Sequence, residues 1–135
     1  MGKLLVIVDN VEPVRTMLRQ LVEDFYQDRV KRGELHIEAL ADGESVCALC
    51  GTRTPDLILM DVDMPVQDGI QAFYALREAN PLAARRVLFL TGLAGSREVG
   101  ARMEQAIRDG ACGFIPKPAT AAEIKAAIEL RLYGP

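Results

Sequence analysis

The chain has 135 residues, of which 50% are hydrophobic and 26% are charged, and its formal net charge is −3 at pH 7. This length predicts one domain over residues 1–135 with a core of normal size, and the slight acidity argues against nucleic acid or an anionic membrane as a partner. No apolar stretch is long enough for a membrane-spanning helix or a secretory signal. Three cysteines without an export signal are typical of reduced thiols, so we expect a cytoplasmic protein.

The first half of the chain alternates between strand and helix patterns. Two runs, residues 3–8 and 57–60, contain only apolar side chains after Lys3, and they predict strands buried on both faces of a parallel sheet. Residues 35–40 alternate between apolar and polar side chains, which predicts a half-buried strand nearer an edge of the sheet. Asn10 and Pro13 predict the N-cap and the first turn of a helix between the first two strands.

Two weaker patterns complete this half of the chain. The charged residues 27–34 predict a frayed helix end followed by a loop, and Asp42-Gly43 predicts the start of a short helix that contains Cys47 and Cys50. The spacing of these two cysteines also occurs in zinc and redox sites. Because the chain has one histidine and no second cysteine pair, we expect two thiols that pack as small apolar groups.

The second half of the chain repeats the alternation with clearer helix boundaries. Residues 87–90 and 111–115 are apolar runs that predict the fourth and fifth strands. Three helices are predicted around them, and their start and end signals are Asp68-Gly69 with Asn80-Pro81, Ser96 with Gly110, and Thr120 with Glu123 in a capping box. Strand and helix therefore alternate five times, which predicts an α/β domain with a parallel sheet and helices on both faces.

Polar side chains follow most of the predicted strands. They are Asp9 and Asn10 after the first strand, Asp61 after the third, Thr91 after the fourth and Lys117 after the fifth. Parallel strands bring their carboxyl ends to one edge of the sheet, where ligands bind in open α/β folds. Neighbouring carboxylates suit Mg²⁺, a carboxylate can attack phosphorus, and a lysine and a hydroxyl can hold phosphoryl oxygens. The set therefore indicates phosphoryl-transfer chemistry.

These motifs resemble the receiver domain of bacterial two-component response regulators, and the resemblance covers essentially the whole chain. The matching segments are residues 6–10, 57–65 with 68–69, 88–92 and 110–118. The resemblance implies a flavodoxin-like, doubly wound sheet of five parallel strands in the order 2-1-3-4-5 with five helices. It also implies a protein that is not an enzyme, apart from self-catalysed phosphorylation and dephosphorylation of one aspartate.

The resemblance assigns a role to each acidic residue of the site. Asp61 is implied to accept a phosphoryl group from a histidine kinase or a histidine phosphotransfer protein. Asp9, Asn10, Asp61 and the backbone carbonyl of Asp63 are implied to bind Mg²⁺. The side chain of Asp63 either returns a carboxylate to the mouth of the site or is a solvated loop acid, and the sequence leaves both interpretations open.

The other site residues are implied to transmit the phosphorylated state. Thr91 and Lys117 would contact the phosphoryl group, and a cis peptide bond from Lys117 to Pro118 would aim the lysine. Thr91 and the aromatic Phe114 would form the switch that reshapes an output face made of the fourth helix, the fifth strand and the fifth helix. The same face is a candidate for homodimer formation.

Two alternative functions stay open at this point. Asn10 stands where the family usually carries a second acid, so Mg²⁺ binding is expected to be weaker, and a pseudo-receiver that binds partners without being phosphorylated is the main alternative. Asp61-Val62-Asp63 also resembles the nucleophile motif of haloacid-dehalogenase-like phosphohydrolases. This second alternative is disfavoured because the motif follows the third strand rather than the first, and because the acids expected after the lysine are missing.

Overall fold

Five parallel strands form the sheet of the structure, a computed structural model that describes residues 2–134. The strands are β1 (Lys3–Val8), β2 (Leu35–Leu40), β3 (Leu57–Asp61), β4 (Val87–Thr91) and β5 (Gly113–Pro116). Their order across the sheet is β2-β1-β3-β4-β5, and every neighbouring pair runs parallel. The predicted doubly wound, flavodoxin-like α/β fold is confirmed.

Seven helices lie within residues 2–134, two more than the sequence predicts. They are α1 (Glu12–Phe25), α2 (Gln27–Lys31), α3 (Gly43–Cys50), α4 (Gly69–Ala79), α5 (Pro81–Ala84), α6 (Arg97–Arg108) and α7 (Ala121–Leu132). The two short helices α2 and α5 are the additions, so the predicted fourth and fifth helices correspond to α6 and α7. None of the helices described between residues 2 and 134 has the length and apolar character needed to cross a membrane.

Both additional helices begin where one residue leaves the helical conformation. Tyr26 has φ −123° and ψ 37°, which ends α1 and allows α2 to form where the sequence predicts a frayed end and a loop. Asn80 has φ −152°, and its side-chain oxygen accepts a hydrogen bond of 3.1 Å from the N–H of Ala83. Asn80 therefore ends α4 and caps α5, with Pro81 in the first turn, where its missing N–H is harmless.

The predicted helix starts agree with the structure at three caps and differ at a fourth. Asp68 and Thr120 each form a capping box with the residue three positions later, and the hydroxyl of Ser96 accepts a hydrogen bond from the first turn of α6. The prediction of Asn10 as the N-cap of α1 is wrong. The N-cap is Val11, whose side chain cannot cap, because the helix begins one residue later than predicted.

The strand β5 begins at Gly113, two residues after the predicted start at Ala111. Gly110 and Gly113 have φ values of 127° and 151°, and this region of backbone conformation favours glycine because it has no Cβ. Gly110 directly follows Asp109, the C-cap of α6, as predicted. The chain therefore turns between α6 and the sheet, and residues 111 and 112 stay outside the strand.

Alternate strand positions supply a separate core on each face of the sheet. On one face, strand residues such as Val6 and Ile58 pack with Phe73 of α4 and with side chains of α3 and α6. On the other face, Leu5 and Leu59 pack with side chains of α1 and α7. Because β1 and β3 contribute to both cores, their apolar runs are not interrupted by polar residues. Packing on both faces fixes the strands and holds their carboxyl ends at one edge.

Candidate functional site

The carboxyl ends of β1, β3, β4 and β5 form one edge of the sheet, and the candidate site lies there. Asp9 follows β1, Asp61 ends β3, Thr91 ends β4 and Lys117 follows β5. Asp9, Asp61 and Thr91 are 2%, 4% and 0% exposed, and no other polar or charged residue is buried in the range 2–134. Burying such groups is unfavourable unless they are partnered, so their concentration at one edge makes it the candidate functional site.

Asp61 is held by one side chain and one backbone group. The Nζ atom of Lys117 lies 2.8 Å from Oδ1 of Asp61, which also accepts a hydrogen bond of 3.2 Å from the N–H of Asp63. The Lys117 side chain is 33% exposed and that of Asp61 is 5% exposed, so the ion pair spans the boundary between the core and solvent. Oδ2 of Asp61 accepts no hydrogen bond from residues 2–134, which leaves this oxygen available to another atom.

Asp9 is the second buried carboxylate of the site. Burial raises the pKa of Asp9, and the nearby charge of Asp61 raises it further, whereas the N–H of Val11, Lys117 and Arg15 lower it. Val11 donates to Oδ1 of Asp9 at 2.9 Å, and the Arg15 guanidinium donates to the Asp9 carbonyl at 2.7 Å. The raised pKa means that the ionised form of Asp9 is disfavoured in this pocket, and a cation placed there would relieve that cost.

The donor atoms at this edge suit Mg²⁺. No group of three or more His, Cys, Asp or Glu side chains within residues 2–134 could hold a metal ion. Mg²⁺ does not need such a group, because it is usually bound by one or two carboxylates while waters and phosphate oxygens complete its shell. The buried carboxylates of Asp9 and Asp61 therefore fit Mg²⁺ better than a metal that requires a full set of protein ligands.

Asn10 lies at the surface, directly after the buried Asp9 in the chain. It is exposed and lines a cleft of about 500 Å³ together with Met64 and Pro65. Within residues 2–134, its side chain makes no hydrogen bond to a protein group. The structure therefore brings Asp9, Asp61 and Lys117 together at the site and leaves Asn10 at its rim, where it carries no charge.

Asp63 binds Thr91 and is not a free loop acid. The hydroxyl of Thr91 donates to Oδ1 of Asp63 at 3.1 Å, and the N–H of Gly92 donates to Oδ2 at 3.1 Å. The Thr91 oxygen also accepts a hydrogen bond of 2.9 Å from the N–H of Leu93. The single hydroxyl proton of Thr91 is therefore committed to Asp63. The sequence indicated only that an acid follows Asp61 by two positions, and it did not identify this partner.

The structure also describes the residues that the sequence linked to switching. The peptide bond between Lys117 and Pro118 is cis, as predicted. The N–H of Lys117 donates to the carbonyl of Thr91 at 2.8 Å, which joins the ends of β4 and β5 through the backbone. Phe114 on β5 is 43% exposed, and its ring is among the large apolar side chains at the surface.

Comparisons with known proteins identify the family of this chain and agree with its fold. A model of the response regulator receiver domain matches residues 5–129. The chemotaxis protein CheY of Halobacterium salinarum is 30% identical over 120 residues, which are 87% of each chain. The solved structure of Vibrio cholerae CheY4 has a TM-score of 0.79 at 23% identity and covers 98% of this chain and 100% of its own. The receiver domain of the sensor histidine kinase PA1611 from Pseudomonas aeruginosa, which holds a magnesium ion in its active site cleft, has a TM-score of 0.76 at 20% identity over 98% of both chains.

The chain belongs to the response regulator receiver domain family. It is thus a receiver domain of two-component signalling, and the family predicted from the strand-end motifs is confirmed. The two solved structures are less than 25% identical to it and show the shared fold. None of these matches supports the alternative of a haloacid-dehalogenase-like phosphohydrolase.

Proposed function

We propose that this receiver domain is a phosphorylatable switch in which Asp61 accepts a phosphoryl group from a histidine kinase or a histidine phosphotransfer protein. One observation carries the proposal: within residues 2–134, the buried polar and charged residues are Asp9, Asp61 and Thr91, all at one edge of the sheet. Lys117 provides a positive charge 2.8 Å from Asp61. Burying two neighbouring carboxylates costs stability unless cations and hydrogen bonds compensate them, so such a cluster points to a functional site. Phosphoryl transfer requires charges of this kind in fixed positions.

The proposed reaction uses the unbonded oxygen of Asp61 as nucleophile. Oδ2 attacks phosphorus and the bond to the donor's imidazole nitrogen breaks, so that an acyl phosphate forms on Asp61 and the histidine leaves. Lys117 then pairs with a phosphoryl oxygen, because its Nζ already lies beside the Asp61 carboxylate. Asp9, Asp61 and the Asp63 carbonyl would hold Mg²⁺, with Asn10 at the rim. Bound there, Mg²⁺ would supply charge neutralisation of the phosphoryl oxygens.

Switching would begin at Thr91. A phosphoryl oxygen that recruits the Thr91 hydroxyl must compete with Asp63, which holds its proton at 3.1 Å. The backbone connection from Thr91 to Lys117 would pass the movement to β5, where Phe114 is exposed. The output face in this proposal consists of α6, β5 and α7, and it is the surface through which a partner or a second copy of the chain would bind.

Replacing Asp63 with alanine should stabilise the phosphorylated state. The change frees the Thr91 hydroxyl for the phosphoryl group, so we expect about fivefold slower dephosphorylation, as the loss of one competing hydrogen bond of about 1 kcal/mol implies. Asp63→Asn keeps an uncharged acceptor and should give a smaller effect. The measurement is the decay of the phosphorylated protein after removal of the phosphodonor.

A double-mutant cycle provides the control for this effect. In a Thr91→Val background, the further change Asp63→Ala should leave the decay rate unaltered, because no hydroxyl is left to release. An equal effect of Asp63→Ala with and without Thr91 would contradict the competition between Asp63 and the phosphoryl group.

Replacing Asn10 with aspartate should tighten Mg²⁺ binding by at least about tenfold, because a negative charge is added beside two buried carboxylates. The measurement is a calorimetric titration of the unphosphorylated protein. Gln67→Glu is a matched control, since Gln67 lines the same cleft as Asn10 and the change adds the same charge. Equal affinities in native protein and Asn10→Asp would show that Asn10 does not weaken the site.

The alternative function is a pseudo-receiver that binds partners without accepting a phosphoryl group. The uncharged Asn10 at the rim of the site favours it, because the two remaining carboxylates hold a divalent cation less strongly than three acids. In that case Asp61→Ala would keep its partner binding and its output. Loss of output in Asp61→Ala would instead support the phosphorylatable switch.

A further inference from the structure

A basic cavity of about 270 Å³ lies at the edge of the sheet opposite the Asp61 site. It is bordered by the start of β1, the segment before β3 and the segments that lead into β4 and β5, with the end of α7 above them. Its polar lining contains four cationic residues, one carboxylate and one cysteine: Lys3, Arg85, Arg86, Arg131, Asp56 and Cys112. Nothing in the proposed phosphorylation chemistry uses these residues.

The charges around this cavity are unbalanced. Four cations and one carboxylate give a formal charge of +3 at the lining, in a chain whose net charge is −3. Asp56 is already engaged, because its Oδ2 accepts a hydrogen bond of 2.8 Å from the N–H of Leu4 and its Oδ1 lies 3.4 Å from Arg86. Like charges gathered around one opening repel each other, and an anion inside it would remove that repulsion.

The other three cations have no carboxylate partner among the described residues 2–134. Within residues 2–134, no ion pair is formed by Lys3, Arg85 or Arg131. The guanidinium of Arg131 donates to the carbonyls of Ala127 and Cys112 at 3.2 and 3.5 Å, which positions it without neutralising it. The Nζ atom of Lys3 lies 5.7 Å from the centroid of the Tyr133 ring, a contact that does not neutralise its charge. The three lining residues are therefore not neutralised by an acid within residues 2–134.

Gly113 leaves the space that the Arg131 guanidinium occupies. A Cβ atom at position 113 would lie 2.9 Å from a terminal nitrogen of Arg131, so the guanidinium would have to move from its present position. The φ of Gly113 is also 151°, a value that other residues rarely adopt. The glycine thus allows Arg131 to lie against the start of β5, at the wall of the cavity.

We propose that this cavity binds a small phosphate-bearing anion, with Arg85, Arg131 and Lys3 as its ligands. Guanidinium groups donate pairs of hydrogen bonds that match the oxygens of phosphate and carboxylate alike. A phosphate monoester carries a charge of about −1.5 to −2 at neutral pH, so it compensates this cationic lining better than a single carboxylate or chloride. The volume of about 270 Å³ is at the small end of ligand sites, so it suits a phosphate monoester rather than a polymer. The site is separate from Asp61, and its occupation does not depend on phosphorylation.

Cys112 supplies a reporter for this site. It is exposed and lines the cavity, whereas Cys47 is half-buried and Cys50 is buried. Burial raises the pKa of both Cys47 and Cys50, and that of Cys50 rises to about 11. Both are therefore slow to react, and a neutral thiol reagent such as N-ethylmaleimide should modify Cys112 first.

The test is the rate of Cys112 modification by N-ethylmaleimide at increasing inorganic phosphate, with ionic strength held constant by sodium chloride. We expect saturable, severalfold protection by phosphate in the native protein and its loss in Arg85→Gln and Arg131→Gln. Arg85 makes no side-chain hydrogen bond within residues 2–134, so its replacement should leave the fold intact. Arg53→Gln is the matched control, because Arg53 is exposed and does not line the cavity.

Protection that does not saturate, or that persists equally in Arg85→Gln and Arg131→Gln, would overturn the proposal. It would show a general electrostatic effect of salt on the thiol in place of a bound anion. Cys112→Ser verifies that the measured reaction belongs to Cys112. Labelling of Asp61 by acetyl phosphate is measured in a separate experiment. A cavity that does not bind phosphate can therefore be distinguished from an Asp61 that does not accept a phosphoryl group.

Discussion

Replacing Asp61 with asparagine is expected to abolish acceptance of a phosphoryl group. The amide has the shape of the carboxylate, but it carries no charge and is a poor nucleophile, so no acyl phosphate can form. The variant also removes the ion pair of the site. In the native protein, Lys117 Nζ lies 2.8 Å from Asp61 Oδ1, and an asparagine at position 61 provides no negative charge for it. The measurement is intact mass after incubation with acetyl phosphate and Mg²⁺.

Two observations make this result specific. Asp28→Asn removes one exposed carboxylate on α2 and should be labelled like the native protein. Asp61→Asn should stay folded, because the asparagine still accepts the hydrogen bond from the N–H of Asp63. Labelling of Asp61→Asn to the native extent would place the phosphoryl group on another residue and would contradict the proposed site.

Replacing Lys117 with methionine is expected to slow phosphorylation by about 100-fold or more, the range found when a fixed group that stabilises developing charge is removed. Methionine keeps the unbranched shape of the side chain without its charge. Asp9 and Asp61 would then be two buried carboxylates without a nearby lysine. Because the charge of Lys117 lowers the pKa of Asp9, its loss should raise that pKa further.

The sign of that pKa change gives the Lys117 variant a second signature. A carboxyl whose pKa is raised by folding binds protons more readily in the folded state, so it favours folding at low pH and this contribution is lost as the pH rises through its folded pKa. Relative to native protein, Lys117→Met should therefore be most destabilised at neutral pH and less so under acidic conditions. Thermal unfolding at several pH values measures this, with Lys31→Met on α2 as an exposed control. Labelling and unfolding at native levels would contradict a role for Lys117.

The strands and the convergence of the site were predictable because both follow from simple physical rules. The run from Leu57 to Met60 has no polar residue because both of its faces are buried. Once Asp9, Asp61, Thr91 and Lys117 follow parallel strands, the topology brings them to the same edge. The sequence therefore predicted which residues meet without predicting how they contact each other.

The sequence pattern could not predict contacts that depend on side-chain rotamers and on the paths of loops. The hydrogen bond from Thr91 to Asp63 joins the end of β4 to the loop after β3, 28 positions earlier, and no periodicity encodes it. The helix α1 begins one residue later than the sequence predicts, so its N-cap is Val11 and not Asn10. The break at Tyr26 depends on a single backbone conformation, so the short helix α2 looked like a frayed end.

The basic cavity was not predicted for a related reason. Lys3, Arg85 and Arg131 are separated by more than 40 positions from one another. Taken singly, each has the sequence context of a solvated surface cation. Only the fold shows that they border one opening, since the amino-terminal ends of neighbouring parallel strands meet at one edge just as the carboxyl ends do. Net charge, which is negative for this chain, conceals such a local excess of cations.

The most direct test of the central claim is the intact mass of the native protein after incubation with acetyl phosphate, once with Mg²⁺ and once with EDTA. The proposed switch predicts a single phosphoryl adduct that requires Mg²⁺ and is absent in Asp61→Asn. Asn10→Asp is carried through the same incubation. An adduct on Asn10→Asp but none on the native protein would contradict the switch and identify the chain as a pseudo-receiver.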